Sequence, residues 1–203
     1  MTIDEMRELD RRAVLATVDV VALAGPADLD RPTPCSDWTL GDLLAHMTAQ
    51  HHGFAAAARG EGADLDAWKT HPLGDDPAKT YTKAAEAVLA AFADEGAAER
   101  GFALPELAGD LAFPAEQAMS FHFIDYVVHG WDVARALGLP YGIAPDLVDA
   151  ARPIALAVPD NDYRLRPGAA FAPALPPSGE ATALDEILRA LGRSPAWPVR
   201  PAT

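Results

Sequence analysis

His122, Asp125 and His129 occur together in Phe121-His122-Phe-Ile-Asp125-Tyr-Val-Val-His129-Gly-Trp131-Asp132. At about 100° per residue on a helix, Asp125 and His129 lie roughly 40° apart, and His122 shares their face. A carboxylate and an imidazole one turn apart can both reach a single ion at about 2.0 to 2.2 Å, the spacing that metal sites in helical bundles reuse. A third ligand has to come from another helix. His46, in Leu43-Leu-Ala-His46-Met47, is a polar residue on or beside a face that should point inward. On spacing alone two readings stand. In one, His46, Asp125 and His129 hold a metal; in the other, His46 is a core histidine bonded to a carbonyl and Asp125 pairs with His129 along its helix.

Other residues near these positions are weighed against plainer roles. Asp132 follows His129 by three residues and suits a group that supports a ligand; Arg135 suits a solvated helix face. His122 is held in reserve as a fourth ligand. Trp38 and Trp131 could wall a pocket mouth, although tryptophan in a bundle more often packs. Cys35, the single cysteine, is read as a small buried hydrophobe and not as a nucleophile. His51 is a poor chelating partner for His46, and both His51 and His52 are expected at or near the surface, as is His71 in a loop.

The elements that must carry these side chains are helices. Residues 2–23 show apolar positions at helical steps, with acids early and Gly25-Pro26 as a stop. Two prolines keep residues 30–37 out of a helix. Ser36 or Asp37 could cap a second helix over 38–59, which carries His46. Pro77 opens an alanine-rich third helix to about residue 92, and residues 115–137 form a fourth, stopped by Gly138 and Pro140. No convincing strand alternation appears before residue 140. The expected fold is therefore all-α, a four-helix bundle over 1–140. Residues 141–203 form a short C-terminal extension packed on the bundle, with helices at about 145–158 and 181–191 around a proline-rich loop. Residues 164–173 could instead form one short hairpin.

Composition narrows the chemistry. The chain has 203 residues, half of them hydrophobic, with a formal net charge of −14. That charge disfavours a phosphate backbone as partner, so nucleic acid is excluded. One cysteine rules out an internal disulfide and any thiolate-rich zinc site, leaving nitrogen and oxygen ligands. Acids in the first ten residues break any signal-peptide pattern, and no apolar run is long enough to span a membrane. A cytoplasmic location is expected.

Three stretches carry a family resemblance: Arg31-Pro-Thr-Pro-Cys-Ser-Asp-Trp38-Thr-Leu-Gly-Asp-Leu-Leu-Ala-His46, Val127-Val-His129-Gly-Trp131-Asp132-Val-Ala-Arg135-Ala-Leu-Gly138, and Leu191-Gly-Arg-Ser-Pro195. Together they resemble an actinobacterial metal-binding family related to the metal-binding domain of mycothiol-dependent maleylpyruvate isomerase and, more distantly, to DinB-like four-helix proteins. The resemblance implies metal ligands at His46, Asp125 and His129, with Asp125 standing where the isomerase usually has Glu. It also implies mycothiol or a similar thiol as co-substrate. The isomerase's separate C-terminal domain has no obvious counterpart in the short tail, so isomerisation of maleylpyruvate itself is not implied. Zinc is the expected metal, with iron or nickel as alternatives. The expected function is a metal-dependent enzyme that activates a low-molecular-weight thiol for transfer to, or isomerisation of, a small electrophile. The alternatives are a non-catalytic metal- or small-molecule-binding module, and a metal-free bundle that pairs as a homodimer.

Overall fold

A computed structural model describes residues 1–35, 38–109, 111–166 and 169–198. The first helix, α1 (Ile3–Val21), begins at Thr2, whose side chain accepts from the Glu5 backbone N–H while Glu5 answers the Thr2 N–H. This reciprocal cap satisfies two of the helix's orphan donors. The second, α2 (Leu40–Arg59), has the same device at Thr39 and Asp42 and ends on Gly60 at φ 87°. Thr39, rather than Ser36 or Asp37, is thus the cap; those two lie outside the described residues. Pro77 opens α3 (Pro77–Ala93) behind the Asp76 cap.

Between α3 and the next long helix, β1 (Gly101–Ala103) and β2 (Ala112–Pro114) pair antiparallel, with Phe102 opposite Phe113. A single turn, α4 (Pro105–Ala108), links them. This pair departs from the expectation of no strands: three residues per strand are too few for alternation to register in sequence. The longest helix, α5 (Ala115–Ala136), then carries His122, Asp125, His129 and Asp132.

In the all-α fold, α1 packs on α5 and α3, while α2 packs on α3 and α5, closing a ring of four long helices. The core runs along its axis. Toward one end Phe54, Val88, Phe102, Met119 and Phe123 meet, and toward the other Val14, Leu43, Leu44, Met47 and Val133. Burial of each such side chain contributes about 1.5–3 kcal/mol.

The tail forms α6 (Pro145–Ala157) and α7 (Ala183–Ala190), which pack on each other, with α6 also against α5 and α1. A 3₁₀ turn occupies Asp162–Leu165 where the hairpin alternative began; Pro167 and Gly168 of that segment lie outside the described residues. Arg164, buried in this turn, donates to the carbonyls of Val158, Pro159, Ala172 and Ala190 and so ties the loop to both tail helices. Among the described residues no helix is long and apolar enough to cross a membrane.

Candidate metal centre

Helix α2 brings His46 against the α5 face that carries Asp125 and His129. Each of the three offers a ligand atom, and these atoms lie within 4.8 Å of one another. Nε2 of His129 stands 3.3 Å from Asp125 Oδ1, and the His46 and His129 rings meet edge to face with centroids 5.6 Å apart. Ligands about 2.1 Å from a tetrahedral ion are roughly 3.4 Å from each other, so two imidazoles and a carboxylate at this spacing fit a dication.

The protonation states follow from the surroundings. Burial pushes His46 down to about 4, reinforced by His129 and only partly opposed by Asp125, so its ring is neutral at pH 7. Burial alone would raise Asp125, but His129 and His46 hold it at about 2, and it is a carboxylate. For His129 burial opposes the charge, yet Asp125, Asp132 and Cys35 together raise it well above the usual histidine range in the metal-free protein.

Behind His129 stands a second layer. Its Nδ1 lies 3.0 Å from Asp132 Oδ2, and the same oxygen accepts from the Cys35 thiol at 3.0 Å and from Arg193 Nη2 at 3.2 Å. Asp132 is fully buried and Arg193 nearly so. Burial would raise the Asp132 carboxyl, but Arg193 and His129 lower it below the usual range. A carboxylate on Nδ1 fixes the ring and leaves Nε2 as the ligand atom, the arrangement that supports metal-binding histidines generally. At the outer edge Trp38, partly exposed, tilts over His46 at 4.8 Å.

His122 is not part of this group. Its Nδ1 lies 2.6 Å from Asp10 Oδ1 and its Nε2 lies 3.2 Å from His51 Nδ1, so both nitrogens are engaged. His51 is fully buried between His122, Tyr81 and Tyr126, which corrects its expected surface position. The reason is that α5 and α3 cover this face of α2 and supply a polar partner there. His52 and His71 are exposed as expected. Arg135, expected on a solvated face, is half-buried and donates to the Trp197 carbonyl at 2.8 Å. Trp131 packs in the core.

The sequence reading underweighted Cys35 and Arg193, and missed Asp10. Asp10 had a signal: it falls in step with Met6, Val14 and Thr17 on the buried stripe of α1. Cys35 and Arg193 reach Asp132 from loops 158 residues apart in sequence, and neither spacing nor periodicity connects them.

A family model described as the mycothiol maleylpyruvate isomerase N-terminal domain matches residues 11–134. The chain belongs to this family. That range takes in His46, Asp125 and His129 and most of the bundle. An uncharacterized protein of Mycobacterium tuberculosis, found in two strains, is 28% identical over 188 residues, covering 90% of this chain and 91% of the relative. Two crystal structures of the mycothiol-dependent maleylpyruvate isomerase, one of them a histidine-to-alanine mutant, share the fold. Their TM-scores are 0.66 and 0.65 at 13% and 15% identity, over 96% of this chain and 90% of theirs. Coverage of that extent takes in most of the residues beyond 140 as well as the bundle.

Proposed function

We propose that this protein binds one divalent metal ion through His46, Asp125 and His129 and uses it to activate a low-molecular-weight thiol of the mycothiol class for transfer to, or isomerisation of, a small electrophile. The observation that carries the reading is the convergence of two imidazoles and a carboxylate from two helices within 4.8 Å, with His129 oriented from behind by Asp132. Membership of the mycothiol maleylpyruvate isomerase N-terminal domain family supports the thiol. Dependence on such a thiol fits a cytoplasmic protein.

When bound, the ion would supply Lewis acidity, keeping a thiol with an ordinary pKa of about 8.5 in its thiolate form near neutral pH. The chain's own groups prepare the place. Neutral His46 presents a lone pair, and ionised Asp125 supplies one negative charge. Asp132 holds the Nδ1 proton of His129 so that Nε2 faces Asp125. Trp38 offers an apolar wall beside His46 for the carbon skeleton of a substrate. Zinc suits this donor set by default, and iron or nickel are compatible with it. A closed, non-catalytic site would need a further protein ligand; both nitrogens of the candidate, His122, face other partners, which favours the catalytic reading.

Elemental mass spectrometry of untagged protein purified without added metal or chelator tests this, beside a His46→Ala/His129→Ala variant prepared identically. About one metal per wild-type chain, lost in the variant, supports the site. Mycothiol and small electrophiles, maleylpyruvate among them, are then assayed with the loaded protein. Wild-type protein that takes up neither zinc, iron nor nickel ends the proposal.

A further inference from the structure

Cys35, His129 and Asp132 form a second set of ligand-type atoms within 4.8 Å of one another. It shares His129 with the first set but uses the other ring nitrogen: Nδ1 lies 3.0 Å from Asp132 Oδ2 and 3.8 Å from Cys35 Sγ. A thiol, an imidazole and a carboxylate are competent zinc ligands, and a soft sulfur would compete strongly for the ion. A fixed positive charge already sits among them. Nη2 of Arg193 is 3.2 Å from Asp132 Oδ2 and 3.3 Å from Cys35 Sγ, while Nη1 is anchored to the Leu191 carbonyl at 2.8 Å.

The backbone delivers this guanidinium deliberately. After α7 the chain turns at Gly192, φ 77°, where a Cβ would come within 2.7 Å of Ala172. The turn is closed by the Arg193 N–H on the Leu188 carbonyl at 2.7 Å, and the guanidinium lies over Phe171 at 5.5 Å. An arginine so held stays charged at any working pH and cannot share its place with a dication.

We propose that Arg193 is the selectivity device of this centre: it occupies the cation position of the Cys35–His129–Asp132 set, keeps the protein's own thiol out of metal coordination, and confines an ion to His46, Asp125 and His129. Where the first set binds metal, as proposed above, this leaves the open position to an external thiol instead of Cys35. The placement also explains why a residue so far along the chain returns to the bundle at this spot.

Cobalt(II) titrated into the full chain tests the idea, because cobalt bound to a thiolate shows a sulfur-to-metal charge-transfer band in the near ultraviolet and cobalt bound to nitrogen and oxygen does not. Wild-type protein should take up cobalt without that band, and Cys35→Ser should leave the spectrum unchanged. In Arg193→Met the band should appear, and it should vanish again in Arg193→Met/Cys35→Ser; Arg193→Lys, which keeps the charge, should lack it. A thiolate band in the wild type, or a cobalt spectrum altered by Cys35→Ser, overturns the inference even if Arg193→Met fails to fold. So does a folded Arg193→Met chain without the band. The two readings separate: cobalt uptake only by Arg193→Met, with the band, removes the proposed function and keeps the exclusion of metal from the Cys35–His129–Asp132 set by Arg193. Uptake by all variants without the band does the reverse, and uptake by none removes both.

Discussion

Asp132 Oδ2 lies 3.0 Å from His129 Nδ1, across the imidazole from the 3.3 Å contact between Nε2 and Asp125 Oδ1. The ring is therefore held from both sides by carboxylates, each about one turn from it along the same helix, and only one of them, Asp125, reaches His46 as well. Replacing Asp132 with Asn keeps the shape and removes the charge that orients the ring. Metal affinity should fall about 10–100-fold, measured by competition with a chromophoric chelator, with the helical circular dichroism preserved. Unchanged affinity would show that Asp132 does not support the ligand.

Arg164 holds four backbone carbonyls that no other side chain satisfies in the described tail. Arg164→Ala leaves these part-buried carbonyls without that donor, and with water able to reach them the combined loss is nearer that of one or two hydrogen bonds to a charged group, each about 1.5–3 kcal/mol, than of four. The expected result is a loss of about 2–4 kcal/mol in urea denaturation, together with new protease cleavage between residues 159 and 182. Wild-type resistance in the variant would mean that α6 and α7 dock without it.

At Gly53 a Cβ would come within 2.2 Å of the Trp68 ring, whose indole N–H is pinned to the Gly62 carbonyl. The indole cannot retreat without losing that bond. Gly53→Ala should cost about 1–3 kcal/mol by overpacking, in spite of the better helix propensity of alanine. Equilibrium denaturation measures it, and a neutral or stabilising result would refute the close approach.

His51 supplies the pH dependence. Burial, reinforced by His122 and His52, keeps it neutral well below the ordinary histidine value of 6.5. Asp10, behind His122 on α1, and the Tyr81 and Tyr126 rings are the other titratable groups around it. In the unfolded chain His51 takes up a proton near pH 6.5, so below that pH the unfolded state binds more protons and is favoured. The stability of the metal-free protein should fall as pH drops from about 6.5, with His51 contributing up to about 1.4 kcal/mol per pH unit. His46, lowered to about 4, acts in the same direction over the same window. His51→Gln should flatten the slope by one proton, read from denaturation at a series of pH values; an unaltered slope would show that His51 does not titrate in this way.

The helices were legible because they are written in local signals. Thr2 with Glu5, Pro77, the Gly138–Pro140 stop and the apolar steps of each segment act over three or four residues, and the observed ends lie close to those expected. The cap of α2 was misplaced because Ser36, Asp37 and Thr39 are all competent caps, and the choice falls to the loop: Thr39 also pairs with Pro32 in an isolated bridge. The β1–β2 pair was invisible because its partners, Gly101 with Pro114 through Ala103 with Ala112, are joined across a connecting loop by backbone bonds rather than by pattern.

The sequence by itself determined the helical character, the i to i+4 placement of Asp125 and His129 on one face, and the exclusion of thiolate-rich metal chemistry by a single cysteine. Each depends only on residue type and on the 3.6-residue repeat. Only the tertiary structure decided which polar residues keep company in the interior: His46 with Asp125 and His129, His122 with Asp10 and His51, and Arg193 with Asp132 and Cys35. Buried polar groups must find partners wherever packing brings them, and packing between α1, α2, α5 and the tail is a long-range outcome that no local spacing encodes.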